Sequence, residues 1–155
     1  MSSRPVGRLS DARVRRANLG PVSLRIPQEV RAAIQETAKR SGRGFSSVAN
    51  EMLTEAVKIR RIPGTTFTDS PSGRVACVAG TGIKVFLLVR AYRTMHENWE
   101  RLRKAYDWLS ERQLRAALAY SDAYPAEIEA RIQADEYWTP ERVWSTYPFL
   151  KPPWR

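Results

Sequence analysis

One histidine, His96, and one cysteine, Cys77, are the whole supply of soft ligands in this chain of 155 residues. A zinc cage needs several such groups and a thiol nucleophile needs an imidazole converging on it, so neither chemistry is expected. Metal-assisted hydrolysis would need carboxylates gathered from different elements. Asp107, Asp122, Glu127 and Asp135 are available, but no two share a motif, and each reads equally well as a solvated helix face or a dipole-matched first turn. Gly80-Thr81-Gly82 lacks the glycine spacing and following lysine of a phosphate loop and reads as a tight turn. No enzyme, cofactor or metal is expected. His96 beside Glu97 reads as a surface or capping group, and Cys77 as a small core residue.

The residues left to do chemistry are arginines. The formal net charge is +10, which favours polyanionic partners. Residues 1–61 hold 13 Lys/Arg against 5 Asp/Glu, and residues 62–155 hold 13 against 11, so nearly all the excess lies in the first part. Residues 1–20 carry Arg4, Arg8, Arg13, Arg15 and Arg16 with Pro5, Gly7 and Gly20 and little apolar periodicity. They read as a flexible basic arm, either a solubilising tail or a nucleic-acid contact through Arg13, Arg15 and Arg16. Hydrophobic residues at 43% and five Trp exclude wholesale disorder of the chain. The longest apolar stretch, near Val85–Val89, is too short for a bilayer. A lone cysteine suits a reducing compartment, so the expected location is cytoplasmic.

These side chains need elements to position them. In Pro21-Val22-Ser23-Leu24-Arg25-Ile26-Pro27 the apolar residues alternate with Ser23 and Arg25, the period of a short strand with one polar face. Pro27-Gln28-Glu29 then opens a helix whose inward face is Val30, Ala33, Ile34 and Ala38. Ser41-Gly42-Arg43-Gly44 breaks it. Ser46 or Ser47 is placed to cap a second helix, which carries Val48, Met52, Leu53, Ala56 and Val57 and ends near Arg60 and Arg61. A strand this short cannot satisfy its own edges, and pairing with its twin in a second chain is the simplest remedy.

Over residues 21–61 the pattern resembles the ribbon-helix-helix family, to which the Arc and MetJ repressors belong. It is carried by Leu24-Arg25-Ile26-Pro27, Gln28-Glu29-Val30, Gly42 and Ser46-Ser47. The resemblance implies a homodimer that binds operator DNA, with a two-chain ribbon in the major groove. Ser23 and Arg25 would then read base edges, Arg25 by a bidentate contact to guanine. Ser46 and Ser47 would clamp a phosphate, with Arg43 beside them. Pro21 stands where that family expects a polar residue.

Residues 62–72 are rich in Pro, Gly, Ser and Thr and read as a linker, with room for a short strand at Thr65–Thr68. A second module is expected over residues 73–136. It opens with a hairpin in which Arg74–Ala79 and Ile83–Val85 flank the Gly80-Thr81-Gly82 turn. Val85, Leu88, Val89 and Tyr92 then form a helical stripe, and Trp99, Leu102 and Tyr106 a shorter one. Ser110 and Gln113 form a capping box and Leu109 with Leu114 a staple for a further helix through Leu118. Pro125 starts another, carrying Ile128 and Ile132. The pair around Asp107-Trp108-Leu109 is a helix-turn-helix candidate or a plain helical corner, with Glu111, Arg112, Arg115 and Ala116 expected outward. The overall expectation is a mainly α chain.

From Gly73 to Tyr120 this module is similar to the small helix-turn-helix domain of VapB-type antitoxins. The carriers are Val78 to Val85, Leu102, Tyr106, Leu109-Ser110 and Ala116 to Tyr120, with Gly82 and Lys84 where that family usually has Arg and Pro. The resemblance implies a type II antitoxin that represses its own operon, with a PIN-like ribonuclease toxin as partner.

Residues 137–155 are proline-punctuated and aromatic, with one turn of helix after Thr139-Pro140. Trp138, Trp144, Tyr147, Phe149 and Trp154 would each hide ~150–250 Å². Either they fold back as satellite core or they order along a partner. The antitoxin resemblance implies the second, with Arg142 and Arg155 facing an acidic toxin site. The alternative is a two-module transcriptional regulator or architectural DNA-binding protein without a toxin.

Overall fold

A computed structural model describes residues 21–152. Arg13, Arg15, Arg16, Trp154 and Arg155 lie outside the described residues. The chain is mainly helical, with one two-stranded antiparallel sheet among the described residues.

Residues 21–27 form neither helix nor strand within the single chain. The expected strand has no ladder partner among the described residues, and extended backbone without a neighbour has no hydrogen bonds to hold it. Helix α1 (Gln28–Ser41) follows Pro27, with Glu29 in its first turn and Lys39 and Arg40 in its last. It stops at Gly42, whose left-handed conformation (φ 63°) lets Gly42 and Arg43 N–H close onto carbonyls of the last turn. Helix α2 (Phe45–Arg61) begins two or three residues earlier than expected: its cap position is Gly44, and no side chain caps it. Ser46 and Ser47 therefore sit inside the first turn. The hairpin of helices is thinly cored, burying only Ile34, Ala38 and Val48, with Phe45 and Ala49 packed beside them. Of the expected inward face, Val30 and Ala33 are exposed.

The linker expected at residues 62–72 is largely strand. β1 (Thr65–Ser70) pairs with β2 (Gly73–Val78) in register Thr65↔Val78 to Ser70↔Gly73, leaving Pro71-Ser72 as the turn. Three β-branched threonines and Phe67 make β1 a better strand than its polar composition suggests. The expected partner of β2, Ile83–Val85, contributes only an isolated bridge, Cys77↔Lys84. Gly80-Thr81-Gly82 is a turn, as its composition predicts, closed by Val78 N–H to Ile83 O at 2.8 Å.

Val75-Ala76-Cys77-Val78 are buried in succession, because helices cover the sheet. Over them pack α3 (Val85–Thr94) with Val85, Leu88 and Val89, α4 (Trp99–Ala105) with Leu102, α5 (Glu111–Ala123) with Leu114, Ala117 and Tyr120, and α6 (Pro125–Tyr137) with Ile128 and Ile132. The Ser110–Gln113 capping box is present in both directions. Ala116, expected outward, is buried against the α2–β1 turn, where a Cβ on Gly64 would lie 3.1 Å from its own. A last helix, α7 (Pro140–Thr146), is capped by Thr139 and followed by a 3-10 turn at Pro148–Leu150.

Candidate nucleic-acid and partner interfaces

The first candidate surface is built by residues 21–27 and the two helices behind them. Ser23 and Arg25 are exposed, as are the apolar residues that alternate with them: Val22 is 88% and Leu24 64% exposed. Val30 on α1 and Met52, Leu53 and Val57 on α2 are exposed as well. Leu24, Ile26, Pro27, Val30, Ile34, Ala49, Met52 and Leu53 line one mostly apolar groove, with Arg25 at its edge. Amphipathic helices normally hide such a stripe. Here only the side facing the partner helix is hidden.

At the start of α2 the structure brings together two of the expected phosphate contacts. Arg43 Nη2 donates to Ser47 Oγ at 3.1 Å, and Nη1 donates to both Glu51 carboxylate oxygens at 2.9 and 3.0 Å. The hydrogen bond to Glu51 holds the guanidinium charged above its ordinary range. Ser46 is exposed one residue before Ser47. The first-turn N–H groups, an exposed hydroxyl and an arginine thus share one end of the helix, where Glu51 supplies the counter-charge to the guanidinium.

The corner between α4 and α5 is electrically mixed. On α5 Arg115 is engaged by Glu111 and stacks over Trp99 with its guanidinium carbon 4.7 Å from the ring. Arg112 is exposed nearby, as is Trp108 in the turn at 61%. Asp107 and Asp122 are exposed, Asp135 pairs with Arg90, and Glu127 pairs with Lys58. The four carboxylates do not converge, and no cluster of three or more metal-ligating side chains occurs among the described residues.

The second candidate surface is the carboxyl-terminal segment. No residue of α7 or the 3-10 turn is buried. Phe149 is 81% exposed, and Tyr147 and Leu150 stand beside it. The rings pair locally, Tyr147 with Phe149 at 6.0 Å and Tyr137 with Trp138 at 5.4 Å. Trp144 is half-buried. Among the described residues of this segment none is fully buried. Arg142 is exposed, and its guanidinium stacks 4.4 Å from the Tyr137 ring and donates to the Tyr137 carbonyl at 3.0 Å. Trp138 lines a cleft with Phe86, Lys84 and Arg131.

Sequence reading missed a polar network that joins α2 to the rest of the chain. Arg74 of β2 donates to Glu55 of α2 at 2.7 and 2.9 Å, and its guanidinium is thereby held even more firmly charged than usual. Lys58 of α2 pairs with Glu127 of α6. The only signal in sequence was the Glu55/Lys58 spacing on one helix face. No protein-family model, curated protein or solved structure matches the chain. No helix among the described residues is long and apolar enough to cross a membrane.

Proposed function

We propose that the chain is a dimeric DNA-binding antitoxin and autorepressor of ribbon-helix-helix type, whose carboxyl-terminal segment docks on a PIN-like ribonuclease toxin. The observation that carries the reading is the apolar face of residues 21–57. Exposed Val22, Leu24, Val30, Met52, Leu53 and Val57 flank a backbone stretch with no ladder partner among the described residues. A second copy supplies both missing things at once, since a two-fold pairing of residues 21–27 satisfies the backbone and brings the two apolar faces together. Pairing through Val22, Leu24 and Ile26 leaves Ser23 and Arg25 on the opposite face of the ribbon, where they meet base edges. Ser46, Ser47 and Arg43 then meet phosphate, which positions the ribbon without reading sequence.

The exposed aromatics of residues 137–150 support a protein partner over a plain regulator. Rings left in water carry an unfavourable hydration that a groove on a partner relieves.

Sedimentation tests the dimer: the full chain is expected to sediment as a dimer at micromolar concentration and Leu53→Asp as a folded monomer with weakened duplex binding. A native monomer that binds DNA as tightly as before would refute it. Co-purification with the product of the neighbouring reading frame tests the toxin, with the chain ending at Trp138 expected to lose the complex and keep DNA binding.

A further inference from the structure

Helix α2 serves two cores. Its first half closes the helical hairpin through Val48 and Ala49, and Ile62, just past its end, packs against the larger core. Between them, Glu55 and Lys58 stand three residues apart on one face, the spacing that makes helix neighbours. Glu55 holds the Arg74 guanidinium of β2, and Lys58 holds Glu127 in the first turn of α6. One turn further along α6, Arg131 donates to the Arg74 carbonyl at 2.7 Å and to the Ser72 carbonyl and hydroxyl at 3.1 and 2.8 Å. The circuit closes on itself: α2 to β2 through Glu55–Arg74, β2 to α6 through Arg131, and α6 back to α2 through Glu127–Lys58.

The two ion pairs of this circuit are partly withdrawn from water, while the Arg131–Ser72 contacts are exposed. Side-chain exposure is 18% for Lys58, 28% for Glu127, 15% for Glu55 and 30% for Arg74. The Lys58 ammonium also lies 4.8 Å from the Tyr124 ring and 5.8 Å from that of Phe67, positions that favour a cation over the ring faces. Tyr120 donates to the second Glu127 oxygen at 2.9 Å. Partly desolvated charges satisfied by one another resist being separated, because parting them strands each without a counter-charge.

We infer that this clasp is a coupling device: it makes α6, the helix from which the carboxyl-terminal segment departs, and α2, the helix that carries the amino-terminal face, respond as one element. What happens at either surface is felt at the other, and by linkage the effect is reciprocal. The identity of the two ligands rests on the function proposed above. The clasp itself rests only on the geometry.

Amide hydrogen exchange on the full chain tests it. Lys58→Met/Glu127→Gln removes both charges, keeps an apolar stem against the rings and leaves an amide oxygen for the Tyr120 hydroxyl. Exchange is expected to quicken by about tenfold not only in α6 but also through α1, which holds none of the substituted residues. Faster exchange confined to residues 55–61 and 125–131, with α1 unchanged, would overturn the inference. Should that variant fail to fold, Arg131→Lys is milder, since an ammonium cannot span Ser72 and Arg74 together, and the same two outcomes decide. Adding a short duplex of random sequence at low ionic strength extends the test. The native chain is expected to slow exchange in α6 as well as in α1 and α2, and the double variant to slow it in α1 and α2 alone. Native slowing confined to α1 and α2 contradicts the coupling. No slowing anywhere would count against DNA binding instead, and the comparison without DNA would still judge the clasp.

Discussion

Tyr120 has no exposed surface and its hydroxyl donates to Glu127 at 2.9 Å. Burial, then the nearby Glu127 carboxylate, pushes its ionisation well above the ordinary phenol range. The folded chain thus keeps a proton that the unfolded chain releases above about pH 10. Where the unfolded state binds fewer protons, stability falls as pH rises. Burial raises the Cys77 thiol in the same sense, so the decline is expected to begin near pH 9. Melting temperatures recorded from neutral to alkaline pH should be flat and then fall. Tyr120→Phe should cost ~1–2 kcal/mol at neutral pH, through the lost hydrogen bond, and show a shallower alkaline fall. At Arg25, replacement by Ala is expected to lose ~1–3 kcal/mol of binding on a selected operator and to relax base preference. Equal losses on operator and random duplex, measured by titration, would mean that Arg25 touches only phosphate. Both residues drew different notice in sequence. The alternation around Arg25 was legible locally, whereas nothing near Tyr120 announced Glu127 seven residues on, because that contact needs the turn at Tyr124-Pro125 to fold α6 back on α5.

Elements with local punctuation were legible. Pro125, the Ser110–Gln113 box and Thr139-Pro140 each mark a helix start that the structure shows, since caps act within one turn. The strands were less so. β2 was found but given the wrong mate: β1 lies in a stretch whose Pro, Gly, Ser and Thr content suits a linker, and strand pairing is chosen by what covers the sheet. Gly64 makes the point testable. It sits at the α2–β1 turn with φ 98°, and its carbonyl accepts the Ala79 N–H at 2.9 Å. An added Cβ would be strained by that backbone and press on Ala116. Gly64→Ala is therefore expected to destabilise by ~1–3 kcal/mol in denaturant titration. Gly42 also has positive φ but open space around it, so Gly42→Ala should cost less, about 1 kcal/mol.

Across the whole molecule, buried surface is unevenly shared. The larger core joins the sheet to α3, α4, α5 and α6, while the helical hairpin buries three side chains and α7 none. Ending the chain at Trp138 should accordingly leave the melting temperature within about 3 °C of the native value. A larger drop would place the aromatics in a core after all. With a second copy sheltering that face, the native chain should melt at a temperature that rises with protein concentration, and Leu53→Asp at a lower temperature that does not. Sequence by itself determined the helical class, most helix starts, the turn at Gly80–Gly82 and the polar alternation of residues 21–27, all of which depend on neighbours a few positions apart. Only the tertiary structure decided that residues 65–70 pair with β2, that α7 buries no side chain, and that Glu55, Lys58, Arg74, Glu127 and Arg131 meet. Contacts between residues up to 69 positions apart depend on how covered surfaces pack, and hydrophobic burial sets that packing without regard to order along the chain.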